Sequence, residues 1–315
     1  MSASDRGPQD ASVRVPAAAK LNLRLRVLGR EESGFHGIET LFLRLALCDE
    51  VEVAPGPAGI SLAVEGAERV PGGPGNLVWR AAAALCEAAE RPPALRIRLV
   101  KRIPAEAGLG GGSADAAATL RAVHRLLGEP LPPERLVDLA ATLGSDVPFG
   151  LAPTALALAW ERGRRLLPLS PPPSRPVLLA RPAQGIATAD AYGWLAADRR
   201  RAAGPAAAPV DAPAGGLLLP EPSVLARWES LVALAGNDFE GPVFSRRAGL
   251  ARLRDAFAES GALLALLCGS GACVAGIYAD REARDAARGD ARLRDAAAAE
   301  AATFVATETQ GPAAG

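Results

Sequence analysis

A glycine-rich stretch constrains this chain more than any other feature of its sequence. Residues 104–113 read Pro-Ala-Glu-Ala-Gly-Leu-Gly-Gly-Gly-Ser, and an alanine-rich segment typical of a helix follows. Each glycine loses more backbone entropy on folding than another residue would, roughly 0.5–1 kcal/mol. A plain connector does not need so many glycines. A loop whose backbone N–H groups contact a phosphate at a helix N-terminus does need them, because the backbone must approach the ligand closely. The stretch therefore predicts a phosphate-binding loop, with a flexible hinge as the alternative.

Two common phosphate-binding motifs do not fit this loop. No Lys-Ser or Lys-Thr pair follows the last glycine, so the loop is not a Walker A motif. Ser113 occupies the third glycine position of the dinucleotide fingerprint, and no strand that ends in an acidic residue follows the helix. The pattern favours a nucleotide-binding loop of another architecture, in which the cation lies elsewhere in the chain.

Composition limits the class of partner. Lys and Arg together number 35, and Asp and Glu together also number 35, so the formal net charge is zero. This balance argues against binding to nucleic acid or to a membrane surface through charge. No apolar run is long enough to span a bilayer, and the first residues lack a hydrophobic signal core. Four cysteines without CxxC spacing predict neither a zinc site nor a disulfide framework. We therefore expect a cytoplasmic protein with reduced thiols.

Only two of the basic residues are lysines, Lys20 and Lys101. A chain that uses arginine almost everywhere keeps lysine where a compact ammonium is needed and a planar guanidinium does not fit, although chance retention is the alternative. Lys20 shares one face of an alternating strand with Asn22. Lys101 ends the strand that leads into the glycine loop.

Three parts needed for phosphoryl transfer can be found along the chain. The reaction needs a phosphate cradle, a cation and a group that takes the proton of the acceptor hydroxyl. The loop at 108–113, Lys20 or Lys101, and Asp146 in the turn Gly-Ser-Asp-Val-Pro supply them. His36 follows Phe35 in a glycine-flanked loop, which makes it a candidate ligand contact, although a single histidine is more often structural.

At this point three segments resemble the motifs of the GHMP kinases. The segment at 19–23, Ala-Lys-Leu-Asn-Leu, is similar to their first motif, 104–118 to their second and 269–273 to their third. Gly34-Phe35-His36, the segment at 143–148 and the segment at 237–240 resemble the branch that acts on a CDP-linked sugar alcohol. The resemblance covers roughly residues 13–300.

The resemblance implies an α+β fold, the two-domain GHMP kinase fold, with the active site in the interdomain cleft. It implies ATP as co-substrate, Mg2+, a small-molecule CDP-linked sugar alcohol as substrate, and a monomer or weak homodimer without nucleic-acid or membrane partners. The expected segments are a disordered leader at 1–12, an ATP-binding domain at 13–170, a C-terminal domain at 171–302 with a variable loop at 201–222, and a disordered tail at 303–315.

The resemblance also implies roles for single residues. Asp146 would be the catalytic base, and Lys20 would orient it and stabilise the transferring phosphoryl group. Phe35 and Tyr192 would stack on the cytosine, and His36 would hydrogen-bond to it. The residues implied to bind the substrate are Asn22, Phe35, His36, Thr188, Tyr192, Gly269, Ser270 and Gly271. The residues implied to bind ATP are Asn76, Lys101, Pro104, Gly108, Leu109, Gly110, Gly111, Gly112 and Ser113. No protein ligand of Mg2+ is implied.

Two other classes of function stay open at this level. One is a GHMP kinase for another small alcohol, such as homoserine or mevalonate; the Gly-Phe-His segment and Tyr192 argue against it, because those substrates carry no base to stack. The other is a non-catalytic nucleotide- or RNA-binding relative. Retention of both Lys20 and Asp146, together with the neutral charge, argues against that class.

Overall fold

A computed structural model describes residues 12–30, 36–66, 70–161, 163–203 and 222–312. Helices and strands alternate irregularly along these ranges, in agreement with the predicted α+β class. The strands are β1 Val13–Arg30, β2 His36–Pro55, β3 Gly59–Gly66, β4 Ala94–Lys101, β5 Leu156–Trp160, β6 Arg165–Leu169, β7 Pro176–Arg181, β8 Gly236–Asn237, β9 Leu264–Leu267, β10 Val274–Ile277 and β11 Thr303–Glu308. The helices are α1 Leu77–Ala88, α2 Gly111–Leu126, α3 Pro133–Leu143, α4 Val147–Leu151, α5 Thr188–Ala203, α6 Trp228–Leu234, α7 Glu240–Arg246, α8 Ala248–Glu259, α9 Arg281–Gly289 and α10 Ala291–Ala299. A short 3-10 turn covers Pro222–Ala226.

The chain folds into two compact units that are interleaved along the sequence. The first unit contains the described residues of 1–19, 47–105 and 111–152, and the second contains those of 20–46, 106–110 and 153–315. Strands β1 and β2 each contribute residues to both units, and the glycine loop passes from the second unit into the first after Gly110. The domain boundary near residue 170 stays a prediction.

The first unit is a sheet covered by helices. In it β3 pairs with β4 in parallel, from Gly59 opposite Ala94 to Gly66 opposite Lys101, and the later part of β2 pairs antiparallel with β4. Residues of β4 alternate between exposed and buried, as expected for a strand with one apolar face. That face packs against α1 and α2 in a core of aliphatic side chains that includes Val51, Ile97, Leu85 and Leu120. This packing fixes the direction in which β4 delivers the chain to the glycine loop.

The second unit contains a four-stranded antiparallel sheet in the order β11-β7-β10-β9. Helices α5, α7, α8 and α10 supply apolar side chains to its core, among them Phe257, Leu253 and Leu293. In the same unit β1 pairs in parallel with β8, and β2 pairs antiparallel with β5, which pairs with β6. The short β8 therefore brings Asn237 beside the middle of β1, where the register places it opposite Leu25.

The end of the chain differs from the sequence-based expectation. A disordered tail was expected from residue 303, but β11 pairs with β7 from Thr303 opposite Arg181 to Glu308 opposite Pro176. Phe304 also packs edge-on against Phe257, with ring centroids 6.4 Å apart. The expectation is wrong for 303–308, because a partner strand about 125 residues earlier cannot be seen in a local pattern. Residues 313–315 lie outside the described part of the chain.

Other segments bear on the remaining expectations. The alanine-rich run at 280–302 predicts a single helix, but the structure has two, because Asp290 ends α9 and caps α10 by accepting the N–H of Leu293. The sequence pattern predicts that a helix begins at 188–195, and α5 begins there and extends to Ala203. The predicted leader at 1–12, apart from residue 12, and residues 204–221 of the predicted variable loop lie outside the described residues. Across the described ranges, no helix is both long and apolar enough to cross a membrane.

Removal of residues 303–315 tests the role of β11. We expect this truncation to lower the free energy of unfolding by about 2–4 kcal/mol, because it removes an edge strand and the buried part of Phe304. Urea denaturation measures the change, and removal of only 313–315 is the matched control, expected to be neutral. Equal urea midpoints for the full chain and the longer truncation would contradict the assignment of β11.

Candidate active site

The glycine loop connects β4 to α2, and two of its glycines are required by the backbone. Gly108 and Gly110 have φ angles of +74° and +71°, in the left-handed region that side chains disfavour. A Cβ atom on Gly108 would lie 1.7 Å from the carbonyl oxygen of Cys268. A Cβ atom on Gly110 would lie 2.7 Å from Cε of Lys20. Glycine is needed at both positions for conformation and for close approach.

The later part of the loop is the first turn of a helix. Helix α2 begins at Gly111, so Gly112 and Ser113 lie in its first turn. The first N–H groups of a helix have no partner within the helix and lie at the positive end of its dipole. Leu109 is buried, and so is Pro104 at the loop entrance. The backbone of 111–113 is the part that suits an anion.

Lys20 connects the first predicted motif to the second within the second unit. Its ammonium donates to Asn22 Oδ1 at 2.7 Å and to the carbonyl oxygen of Gly108 at 3.0 Å. Its backbone N–H donates to the carbonyl oxygen of Leu109 at 3.0 Å. The side chain is only 6% exposed, and its aliphatic part packs against Gly110. The predicted catalytic lysine therefore fixes the backbone of the glycine loop at Gly108 and Leu109.

A hydrogen-bond relay fixes the orientation of Asn22. While Asn22 Oδ1 accepts from Lys20, Asn22 Nδ2 donates to Thr40 Oγ1 at 2.8 Å, and Thr40 Oγ1 donates to the carbonyl oxygen of Arg24 at 2.7 Å. Asn22 and Thr40 are both buried. Sequence reasoning missed Thr40, since nothing local distinguishes it from other threonines in strands.

The third glycine-containing turn, 269–271, follows β9 in the second unit. Gly269 has a φ of +52°, and a Cβ on it would lie 2.8 Å from the carbonyl oxygen of Gly108. Asn237 Nδ2 donates to the carbonyl oxygens of Leu267 and Gly269 at 3.0 and 2.7 Å. The segment at 237–240, noted only as a family resemblance, thus has a structural role in shaping this turn.

Glu240 also supports this turn, at the last residue of β9. Its carboxylate accepts the backbone N–H of Leu267 at 2.9 Å. Burial raises the pKa of Glu240, and the hydrogen bond from Leu267 together with the charge of Arg254 opposes that rise. Glu240 ends the segment at 237–240 that carries the family resemblance, but nothing in the sequence predicted its hydrogen bond to Leu267.

Thr188, one of the predicted substrate residues of α5, lies near the turn at 269–271. Thr188 Oγ1 and Ser270 Oγ are 3.2 Å apart. Tyr192 lies one helical turn after Thr188, hence on the same face of α5, and packs edge-on against Phe239 with ring centroids 4.9 Å apart. The structure brings Thr188 and Ser270 together, while Phe35 and the side chain of His36 lie outside the described part.

Asp146 lies in the first unit, in the turn that precedes α4. It occupies the position before Val147, and the N–H of Val147 donates to the carbonyl oxygen of Gly144 at 3.1 Å, which closes the turn. A Cβ on Gly144 would lie 3.9 Å from Ser113 Oγ, so the turn packs close to the first turn of α2. Its role as catalytic base stays a prediction.

Lys101 has buried carboxylate partners that sequence reasoning missed. Its ammonium donates to Asp115 Oδ2 at 2.7 Å and also to Asp49 Oδ2. Burial lowers the pKa of Lys101, but the two carboxylates outweigh it and raise that pKa above its ordinary value. Asp115 offered a sequence signal, as an acidic residue inside an alanine-rich segment, whereas Asp49 offered none.

Burial also shifts the protonation of Asp115. Removal of its carboxylate from water raises the pKa from 3.8 to about 7, Lys101 opposes the shift, and the neighbouring charge of Asp49 reinforces it. Asp115 Oδ1 is buried and accepts no hydrogen bond within the described residues. Burial therefore opposes ionisation of Asp115, and the ammonium of Lys101 favours it.

Asn76, predicted to border the nucleotide, caps α1. Its Oδ1 accepts the N–H of Val78 at 2.9 Å and its Nδ2 donates to the carbonyl oxygen of Pro71 at 2.7 Å. The side chain is thus committed to the helix N-terminus, as the sequence pattern predicted. Contact with ATP stays a prediction for Asn76.

The titration of Asp115 leads to a prediction for stability. The folded protein binds this proton more tightly than the unfolded chain, so stability is lost as pH rises from about 4 through 7. Relative to Asp115→Asn, the free energy of unfolding of the unmodified protein is expected to fall by about 2–3 kcal/mol between pH 5 and pH 8. Urea denaturation at both pH values measures this. The exposed Asp295→Asn is the control, and parallel pH profiles for Asp115→Asn and the unmodified protein would refute the shift.

Comparison with known proteins gives consistent matches. The profile of the GHMP kinases N terminal domain matches residues 76–154, and that of the GHMP kinases C terminal domain matches 223–293. A 4-diphosphocytidyl-2-C-methyl-D-erythritol kinase of Pelotomaculum thermopropionicum is 41% identical over 84% of this chain and 89% of its own length.

Solved structures agree with these matches. A crystal structure of 4-(cytidine 5'-diphospho)-2C-methyl-D-erythritol kinase superposes with a TM-score of 0.69 at 34% identity, covering 95% of this chain and all of the other. A homoserine kinase from Cytophaga hutchinsonii has a TM-score of 0.63 at 16% identity, covering 99% of this chain and 96% of the other. The second likeness shows the fold alone.

Proposed function

Because the chain belongs to the 4-diphosphocytidyl-2-C-methyl-D-erythritol kinases of the GHMP kinase family, we propose that it phosphorylates the 2-hydroxyl of the methylerythritol moiety of that CDP-linked substrate. The protein is an ATP-dependent small-molecule kinase. The reaction belongs to the non-mevalonate route to isoprenoid precursors. The observation that carries the proposal is the position of the Lys20 ammonium, which lies close to all three motifs. It donates to Asn22 of the first motif and to the carbonyl oxygen of Gly108 in the second. It would lie 3.3 Å from a Cβ atom added to Gly269 in the third.

The proposed chemistry needs little from the protein beyond positioning and charge. The 2-hydroxyl oxygen attacks the γ-phosphorus, the bond from that phosphorus to the bridging oxygen of ADP breaks, and the hydroxyl proton passes to Asp146. Backbone N–H groups at the start of α2 would hold the phosphates, and Lys20 would stabilise the charge of the transferring group. A loose transition state makes the hydroxyl acidic only late, so the geometry of the base matters more than its strength.

We propose that residues of α5 and of the segment before β2 recognise the cytidine end of the substrate. Tyr192 lies one turn from Thr188, whose hydroxyl is within hydrogen-bond distance of Ser270, and this supports a substrate surface along α5. Aromatic stacking by Phe35 and Tyr192 and a hydrogen bond from His36 would together read the base. Substrates without a base would gain nothing from these residues.

Mg2+ is proposed to arrive with the nucleotide. Among the described residues, no group of three or more His, Cys, Asp or Glu side chains could hold a metal ion. This fits Mg2+, which commonly takes most of its ligands from water and substrate phosphates and one or two from protein. Bound Mg2+ would neutralise phosphate charge, while the loop and Lys20 orient the γ-phosphate.

Some expectations remain predictions. These are the cytoplasmic location, the monomeric or weakly dimeric state and the absence of a nucleic-acid partner. The alternative of a homoserine- or mevalonate-type kinase is disfavoured, because the homoserine kinase shares only 16% identity against 41% for the relative that acts on the CDP-linked substrate. A non-catalytic relative is disfavoured by the buried, hydrogen-bonded Lys20, which such a protein would not need.

A direct assay tests the substrate. ADP release is measured with 4-diphosphocytidyl-2-C-methyl-D-erythritol, mevalonate and homoserine in parallel. We expect kcat/KM for the CDP-linked substrate to exceed the others by roughly 100-fold or more, because the polar groups that read the base stay unpaired with the other two. Faster turnover of mevalonate or homoserine would overturn the proposal, and no ADP release with any of the three would favour the non-catalytic class.

Asp146→Asn tests the base. It is expected to lower kcat by about 10²–10⁴-fold, since the amide cannot take a proton, with the Kd for ATP unchanged. Isothermal titration with ATP separates lost chemistry from lost binding, and Asp295→Asn on the exposed face of α10 serves as the control. Turnover within tenfold of the unmodified protein would remove Asp146 from the mechanism.

A further inference from the structure

The glycine loop is held at both ends by one buried ionic group, which we call the loop clamp: Lys101, Asp49 and Asp115. Asp49 comes from β2, Lys101 is the last residue of β4, and Asp115 lies in the second turn of α2. All three side chains are at least nine-tenths buried. The clamp belongs entirely to the first unit.

Asp49 fixes the entrance of the loop. Its Oδ1 accepts the backbone N–H groups of both Arg102 and Ile103, the first two residues after β4. Its Oδ2 accepts from Lys101. Without this carboxylate, Ile103 would bury an unpaired N–H group, which costs about 1–3 kcal/mol. The chain is therefore held in one direction as it leaves the sheet.

Lys101 and Asp115 fix the exit of the loop. A Cβ on Gly111 would lie 3.3 Å from Lys101 Nζ, so the ammonium packs directly beneath the first residue of α2. Asp115 lies four residues after Gly111, on the same helix, and its Oδ2 accepts from the same ammonium. The first turn of α2, whose N–H groups would bind phosphate, is thereby fixed to the end of β4.

From this geometry we propose that Lys101, Asp49 and Asp115 are positioning residues, which set nucleotide affinity by holding the phosphate loop rather than by contacting the adenine. The proposal rests on the proposed function in one respect, that the loop binds the phosphates of ATP. It replaces the expectation that Lys101 binds ATP directly, because an ammonium between two carboxylates has its charge and most of its donors committed.

Two variants disturb the clamp without removing its bulk. Lys101→Arg keeps the charge, but a guanidinium does not fit the space beneath Gly111 and would displace the start of α2. Asp49→Asn can still accept the N–H groups of 102 and 103 through one oxygen, but its amide N–H₂ then faces the ammonium and repels it. Arg96→Lys, an exposed swap on the same strand, is the matched control.

The test compares two probes, ATP and inorganic tripolyphosphate, by isothermal titration well below the melting temperature of each variant. We expect both clamp variants to raise the Kd of both probes by the same factor, about ten- to a hundredfold. The KM of the CDP-linked substrate should stay within about threefold, since only the phosphate loop moves. Arg96→Lys should match the unmodified protein.

Other outcomes overturn the proposal. A Kd that rises for ATP but not for tripolyphosphate would show that Lys101 contacts the nucleoside. Unchanged affinities with a lower melting temperature would show that the three residues serve the fold alone. Failure of the unmodified protein to bind either probe would reject the proposed function itself, and therefore its phosphate loop, before any variant is compared.

Discussion

The close approach of two backbone turns is the constraint on which the candidate site depends. A Cβ atom added to Gly108 would lie 1.7 Å from the carbonyl oxygen of Cys268, and one added to Gly269 would lie 2.8 Å from the carbonyl oxygen of Gly108. Contact at this range leaves no room for a side chain. Glycine is therefore required at both positions by packing as well as by the positive φ angle. Lys20 can then reach the Gly108 carbonyl, and Asn237 can bond to the Gly269 carbonyl, because no side chain separates them.

The two lysines of an arginine-rich chain occupy sites with the same steric requirement and different electrostatics. Each packs against a glycine of the loop, Lys20 against Gly110 and Lys101 against Gly111, where a planar guanidinium would not fit. Lys20 donates to two neutral oxygens, from Asn22 and Gly108, whereas Lys101 lies between two carboxylates. A buried ammonium is tolerated only with such partners, because its desolvation otherwise costs several kcal/mol. The two carboxylate partners suit Lys101 to holding the chain.

The sequence predicted what local patterns determine. Glycine spacing indicated a loop that approaches other backbone closely, the two retained lysines indicated places where a compact ammonium fits, and Asn76 before an apolar run indicated a helix cap. Long-range partners were not predictable, because Asp49 and Thr40 act through residues 52 and 18 positions away and look ordinary in their own strands. Strand β11 was missed for the same reason, as its partner β7 lies far back in the chain. A strand that forms by pairing with a distant strand does not need a strong local preference for β structure.

Lys20 and Lys101 contact different parts of the glycine loop, because the loop passes from the second unit into the first after Gly110. Residues 106–110 belong to the second unit, where Lys20 bonds to Gly108 and contacts Gly110, and residues from 111 onward belong to the first, where Lys101 packs beneath Gly111. Each half of the glycine loop is thus held by an ammonium of its own unit. A loop with four glycines loses much backbone entropy on folding, and the contacts of the two lysines are among those that offset this cost. A preorganised anion site needs hydrogen-bond donors in fixed positions. Lys20 holds the first part of this short segment in place, and Lys101 holds the second part.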